Sequence, residues 1–144
     1  MPPAVFEVLL VEDNPGDVYL IQEALAEGPA RKQIRVARDG AEAVALVEER
    51  ASRPPDLVLL DLNLPKRSGH QVLADIRRHR GWKRTPVVVF TSSSAASDVL
   101  EAYERGANCY VTKPQGLEEL TGVIRSIESF WLTVAVLPGR TCCD

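Results

Sequence analysis

The sequence predicts a three-layer α/β fold, a parallel sheet buried between helices. Three observations predict it: short apolar runs recur along the chain, segments with helical spacing lie between them, and the connections are brief. FEVLLV (Phe6–Val11), LVLL (Leu57–Leu60) and VVVF (Val87–Phe90) are too short for helices and too continuously apolar for half-exposed strands. Such runs are expected where helices cover both faces of a sheet. Strict alternation of strand and helix then calls for right-handed crossovers between parallel strands.

The elements follow in order. After the first strand, Phe6–Val11, Asp13 or Asn14 can cap a helix whose apolar face is Val18, Ile21 and Leu25. IRVA (Ile34–Ala37) alternates as an edge strand does, and the turn signal Asp39-Gly40 opens a helix facing inward through Ala43, Val44 and Val47. The third strand, Leu57–Leu60, runs straight into Asp61, and beyond the loop that ends at Gly69 a helix presents Val72, Leu73 and Ile76. The fourth strand, Val87–Phe90, leads through TSSSAASD to a helix with Val99, Leu100 and Tyr103 on one face. CYVT (Cys109–Thr112), aromatic and β-branched, is the fifth strand, and the last helix faces the core through Leu117, Leu120, Ile124 and Ile127. No linker, repeat or low-complexity tract divides the chain, so one domain is expected over residues 1–144.

Composition excludes several function classes. With 45% hydrophobic and 26% charged residues over 144 positions, the chain has enough apolar material for a core without disulfide or metal staples. A net charge of −3 and the lack of a long basic run argue against nucleic acid as partner. No apolar segment approaches the ~20 residues of a membrane span, and MPPAVFEVLLVED has neither a basic region nor a cleavage site, so a cytoplasmic protein is expected. Cys109, Cys142 and Cys143 fit neither a disulfide framework nor a zinc spacing.

In folds of this class, ligands bind beyond the carboxyl ends of the strands. Those ends carry Glu12-Asp13, Asp39, Asp61, Thr91-Ser92-Ser93 and Lys113-Pro114. Carboxylates of Glu12, Asp13 and Asp61 brought together would repel one another unless a divalent cation sat among them, and an all-oxygen set selects Mg2+. Lys113 supplies a point charge suited to phosphate, and a carboxylate beside metal, ammonium and the Thr91 hydroxyl is a candidate nucleophile for phosphoryl transfer. Taken singly, an acidic pair is more often a solvated loop or a cap, and Thr91 and Lys113 are ordinary loop residues. Their joint placement after strands one, three, four and five favours a shared site. KRSG (Lys66–Gly69) reads as a loop rather than a phosphate cradle, and His70 and His79 read as exposed, without metal spacing.

VEDN (Val11–Asn14), LLDLNLPKRSG (Leu59–Gly69), VVVFTSS (Val87–Ser93) and GANCYVTKP (Gly106–Pro114) span nearly the whole chain. Together they resemble the receiver domain of a two-component response regulator. The resemblance implies a flavodoxin-like five-stranded sheet in the order 2-1-3-4-5 with five helices. It implies Asp61 as phospho-acceptor from a histidine kinase, in a signalling module rather than an enzyme. It implies that Asp13 and Asp61 ligate Mg2+ with the backbone carbonyl of Asn63, that Glu12 reaches the ion through water, and that Lys113 contacts the phosphoryl group. Thr91 and Tyr110 become the switch pair, Asn63 and Ser93 occupy positions that tune hydrolysis, and Pro114 matches a cis-proline. VEDNPGDVYLIQEAL, DLNLPKRSG, RRHRGWKRTP and FWL are similar to the stand-alone regulators that work with bacterial phytochromes. By that likeness the receiver core covers about 5–131, an extension covers 132–144, and no output domain follows.

Rival functions fit less well. A flavodoxin-type electron carrier wants phosphate-binding donors after the first strand, where Glu12-Asp13 would repel a flavin phosphate. A phosphatase of the haloacid dehalogenase type carries its nucleophile in a D-x-D after the first strand, not on the third. A receiver-like scaffold that is never phosphorylated stays open as an alternative. Beyond its core face, the final segment adds Val123, Phe130, Trp131, Leu132, Val134, Val136 and Leu137. That surplus predicts a homodimer on the face of the fourth helix, fifth strand and fifth helix, with Phe130, Trp131, Leu132 and Val134 at the contact. The competing expectation is that Phe130 and Trp131 fold back on the monomer's own core.

Overall fold

Five parallel strands in the order β2-β1-β3-β4-β5 form the sheet. They are β1 (Phe6–Val11), β2 (Lys32–Ala37), β3 (Leu57–Leu60), β4 (Val87–Thr91) and β5 (Cys109–Thr112). The helices between and after them are α1 (Pro15–Ala26), α2 (Gly40–Glu48), α3 (Gly69–Arg78), α4 (Ala96–Glu104) and α5 (Leu117–Ser129). The structure, a computed structural model, describes residues 5–49 and 53–140. Cys142 and Cys143 lie outside the described residues.

Alternation along the strands divides the core in two, because successive side chains leave a strand on opposite faces. Leu9, Val11, Val58, Leu60, Val87 and Val89 pack with Ala43, Val47, Val72, Leu73, Ile76 and Ala102 of α2, α3 and α4. Val8, Leu10, Leu57, Leu59, Val88 and Phe90 pack with α1 and α5 through Val18, Ile21, Leu25, Leu120, Ile124 and Ile127. Trp82, within the Arg-rich stretch after α3, closes the first of these cores.

Register brings the strand ends together. Val11 pairs with Leu60, so Glu12 and Asp61 leave adjacent strands at the same level, and the Asp61 amide donates to the Val11 carbonyl at 3.0 Å. This is the point where strand order reverses, with β2 and β3 on either side of β1. Caps fix the loops there. Asn14 accepts from the Asp17 amide at 3.0 Å with Pro15 opening α1, and Ser68 and Gln71 form a capping box on α3. Gly69 is required by contact: a Cβ on it would lie 2.2 Å from the Asp61 carbonyl oxygen.

Three sequence expectations are corrected. On α4 the residue seated in the core is Ala102, whereas Leu100 is 63% and Tyr103 49% exposed. The small side chain lets the helix lie close to the sheet and leaves the bulkier stripe at the surface. Leu117, in the first turn of α5, is exposed, and the buried set there is Leu120, Ile124, Ile127 and Glu128. Beyond α5, a π-helical segment Phe130–Val134 and a short turn Pro138–Arg140 return part of the tail to the core. Leu132 and Leu137 are buried and Trp131 packs against the α1/α5 core, so Leu132 does not belong to an exposed patch. Phe130, Val134 and Val136 stay exposed.

Candidate functional site

Lys113 is the hub of the carboxyl edge. Its backbone amide donates to the Thr91 carbonyl at 2.7 Å, which fixes β5 against β4 and aims the side chain back toward β1 and β3. Its ammonium, nearly buried, lies 2.5 Å from Glu12 Oε1, 2.9 Å from Asp17 Oδ2 and 3.0 Å from Asp61 Oδ2. Three N–H donors therefore meet three carboxylates.

Glu12, Asp13 and Asp61 each offer a carboxylate oxygen within 4.8 Å of the others. Glu12 and Asp61 are buried and Asp13 is exposed. Burial pushes the Glu12 carboxyl up to about 7, aided by the negative Asp61 and opposed by Lys113 and the Asn14 amide. For Lys113, burial pulls the ammonium down, but hydrogen bonds to Glu12 and Asp17 and the charge of Asp61 outweigh it and hold the group above its ordinary value. One cation thus faces a surplus of buried negative charge, and a divalent cation with a preference for hard oxygen fits this donor set.

The remaining expected residues border this cluster. The Asn63 amide donates to Asp61 Oδ1 at 3.1 Å, which places its backbone beside the acceptor carboxylate. Thr91 is fully buried, and its hydroxyl oxygen accepts from the Ser93 amide at 3.5 Å. The Tyr110 hydroxyl donates to the Ser93 carbonyl at 2.7 Å, and its amide donates to the Tyr103 hydroxyl at 3.1 Å, so the aromatic ring is tied to the loop before α4. Burial raises the Tyr110 hydroxyl above its usual range.

Two expectations fail here. The Lys113–Pro114 bond is trans, since the described residues contain no cis peptide bond. Trans is the intrinsically preferred isomer by about 0.5–1 kcal/mol, and Lys113 reaches all three carboxylates from it. His70 is not exposed: its side chain is 12% accessible and its Nε2 lies 3.1 Å from Asp98 Oδ1, because the first turn of α3 sits against the first turn of α4.

Sequence reasoning also missed Asp17, a Lys113 partner delivered by the first turn of α1. The available signal was its place three residues after the cap Asn14, on the turn that follows β1.

The response regulator receiver domain matches residues 8–125 of this chain. Response regulator Rcp1 of Synechocystis sp. is 43% identical over 142 residues, covering 96% of this chain and 95% of that protein. The Mn(2+)-bound crystal structure of Rcp1 has a TM-score of 0.88 at 42% identity, over 92% of this chain and 99% of the other. The phosphorylated cyanobacterial phytochrome response regulator RcpA gives 0.89 at 45% identity, over 94% and 99%. The bacteriophytochrome response regulator AtBRR gives 0.69 at 36% identity, over 94% and 99%. Strand order and family match agree over most of the chain: it belongs to the receiver-domain response regulators of two-component systems, close to the phytochrome regulators among them.

Proposed function

We propose that Asp61 accepts a phosphoryl group from a histidine kinase, specifically one of the bacterial phytochrome type, with Mg2+ held by Glu12, Asp13, Asp61 and the backbone carbonyl of Asn63. The observation that carries this reading is the Lys113 ammonium 3.0 Å from Asp61 Oδ2, with the carboxylates of Glu12 and Asp13 beside it. An Asp61 oxygen forms the new P–O bond as the P–N bond of the kinase's phosphohistidine breaks. The imidazole leaves with that electron pair. Bound Mg2+ supplies charge neutralisation on the transferred oxygens. Lys113 stabilises the same oxygens from the other side, and the strand ends hold Asp61 in line for attack.

Output follows from Thr91 and Tyr110. A phosphoryl group on Asp61 offers the Thr91 hydroxyl a stronger acceptor, and a shift of the loop at Ser93 removes the bond that restrains Tyr110. The result is a population shift on the face of α4, β5 and α5. On this reading the protein is a phospho-accepting module rather than an enzyme and works in the cytoplasm. No helix among the described residues is long and apolar enough to cross a membrane. Homodimerisation uses the exposed Phe130 and Val134.

Mg2+-dependent labelling by a small phosphodonor tests the reading. Asp61→Asn abolishes it, because an amide cannot serve as the nucleophile. Undiminished labelling at another residue would overturn the assignment.

A further inference from the structure

His70 is the second residue of α3, and Asp98 and Glu101, three residues apart on α4, turn one face of that helix toward the imidazole. Nε2 of His70 lies 3.1 Å from Asp98 Oδ1 and 3.6 Å from Glu101 Oε1, and one ligand atom from each residue falls within 4.8 Å of the others. A tetrahedral zinc with bonds of about 2.0–2.1 Å needs ligand atoms about 3.3–3.4 Å apart. The two measured separations bracket that spacing.

The outer contacts orient the same three atoms. Asp98 Oδ2 accepts the Ser93 hydroxyl at 2.5 Å, and Glu101 Oε2 accepts from Arg105 Nε at 2.9 Å, so each carboxylate has one oxygen engaged elsewhere and the other facing His70. Arg105 also donates to the His70 carbonyl at 3.3 Å. Metal sites are built in this way, with the ligands held by a second ring of hydrogen bonds. His70 Nδ1 is buried without a hydrogen-bond partner, so Nε2 is the only ring nitrogen engaged, and it is engaged by the two carboxylates.

We propose that His70, Asp98 and Glu101 form a second cation site, between α3 and α4, that takes Zn2+ or a similar transition metal rather than Mg2+. One imidazole and two carboxylates suit a borderline cation and neutralise its charge. Water completes the coordination. The proton that Nε2 shares with Asp98 moves to Nδ1, where no acceptor waits, and this missing outer contact sets the affinity below that of a structural zinc. The ion bridges α3 to α4.

The test is Zn2+ titration by calorimetry on the full chain with Cys142→Ser and Cys143→Ser, so that no paired thiols compete, in excess Mg2+ to occupy the acidic cluster. One Zn2+ per chain is expected, with a rise in melting temperature. His70→Gln, checked by circular dichroism for folding, lowers the affinity by more than the about 10–100-fold seen when an outer contact is lost. Glu101→Gln, a change at the surface, weakens it as well, whereas Asp61→Asn leaves it unchanged. Co2+ in the same site gives a visible absorption band of tetrahedral type. No uptake of Zn2+ at saturating concentration in this titration overturns the proposal. Uptake that survives both His70→Gln and Glu101→Gln, or that disappears with Asp61→Asn, does so too.

Discussion

Lys32 Nζ lies 3.0 Å from Glu128 Oε2, and both side chains are buried. The pair joins the start of the edge strand β2 to the end of α5, and Glu128 Oε2 also accepts from the Ala30 amide at 3.0 Å. Lys32 donates in addition to the Leu25 carbonyl at 2.5 Å. Removing one partner leaves a buried charge uncompensated, so Glu128→Leu is expected to destabilise the fold by about 3–5 kcal/mol. Adding Lys32→Met recovers most of the loss, because a packed apolar pair replaces the ions. Urea unfolding of the two single variants and the double variant measures the coupling directly. Additive losses would show that the pair does not act as a unit.

Asp13 is the exposed member of the acidic cluster. Asp13→Ala deletes a charged oxygen ligand and is expected to lower Mg2+ affinity, read by calorimetry. Without Mg2+ the same change relieves repulsion from Glu12 and Asp61 and raises stability, by up to about 1 kcal/mol for a group this accessible. An unchanged Mg2+ titration would count against the metal site.

Asp17 stands apart from the other two partners of Lys113, since Glu12 and Asp61 belong to the acidic cluster and Asp17 does not. All three ammonium donors are engaged, so contact with a phosphoryl oxygen requires that one be released. Asp17, partly exposed, is the partner that can yield. Asp17→Asn therefore speeds labelling by a small phosphodonor, up to about fivefold if the pair is worth up to about 1 kcal/mol. Mg2+ affinity is unchanged. Slower labelling would mean that Asp17 positions Lys113 instead of competing for it.

The strands, the helices between them and the positions of Asp61 and Lys113 were legible because they depend on local patterns, whereas the strand order followed only from the resemblance to receiver domains. An unbroken apolar run marks a covered strand, and a polar residue at its end marks the functional edge. What was not legible depends on how elements approach one another. Val99, Leu100 and Tyr103 have the same helical spacing as a true core face, and the close approach of α4 to the sheet selects Ala102 instead. Trp82 sits amid arginines and a lysine with no apolar periodicity around it, and only the packed structure places it in the core. Lys32 and Glu128 are charged residues far apart in the chain, and nothing local in either marks burial. His70 was misread for the same reason: its partners come from a different helix.

The tail after α5 yields the last prediction. The Ala135 amide closes the π-helical segment onto the Phe130 carbonyl at 2.7 Å, and Leu132 and Leu137 anchor it in the core. Phe130 meets Trp131 edge-on, with ring centroids 5.2 Å apart, and stays 51% exposed. The surplus of apolar residues that suggested a dimer is therefore divided: Leu132 stabilises the monomer, while Phe130 and Val134 remain available at the surface. Phe130→Ser with Val134→Ser is expected to leave stability within about 1 kcal/mol, as for surface positions. The same double variant should convert a dimeric parent to monomer in light scattering. Leu132→Ser, which places a hydroxyl in the core, should instead cost several kcal/mol in stability, on the order of other large core truncations. A parent chain that is already monomeric at high concentration, with and without phosphorylation, removes the case for dimerisation through this face.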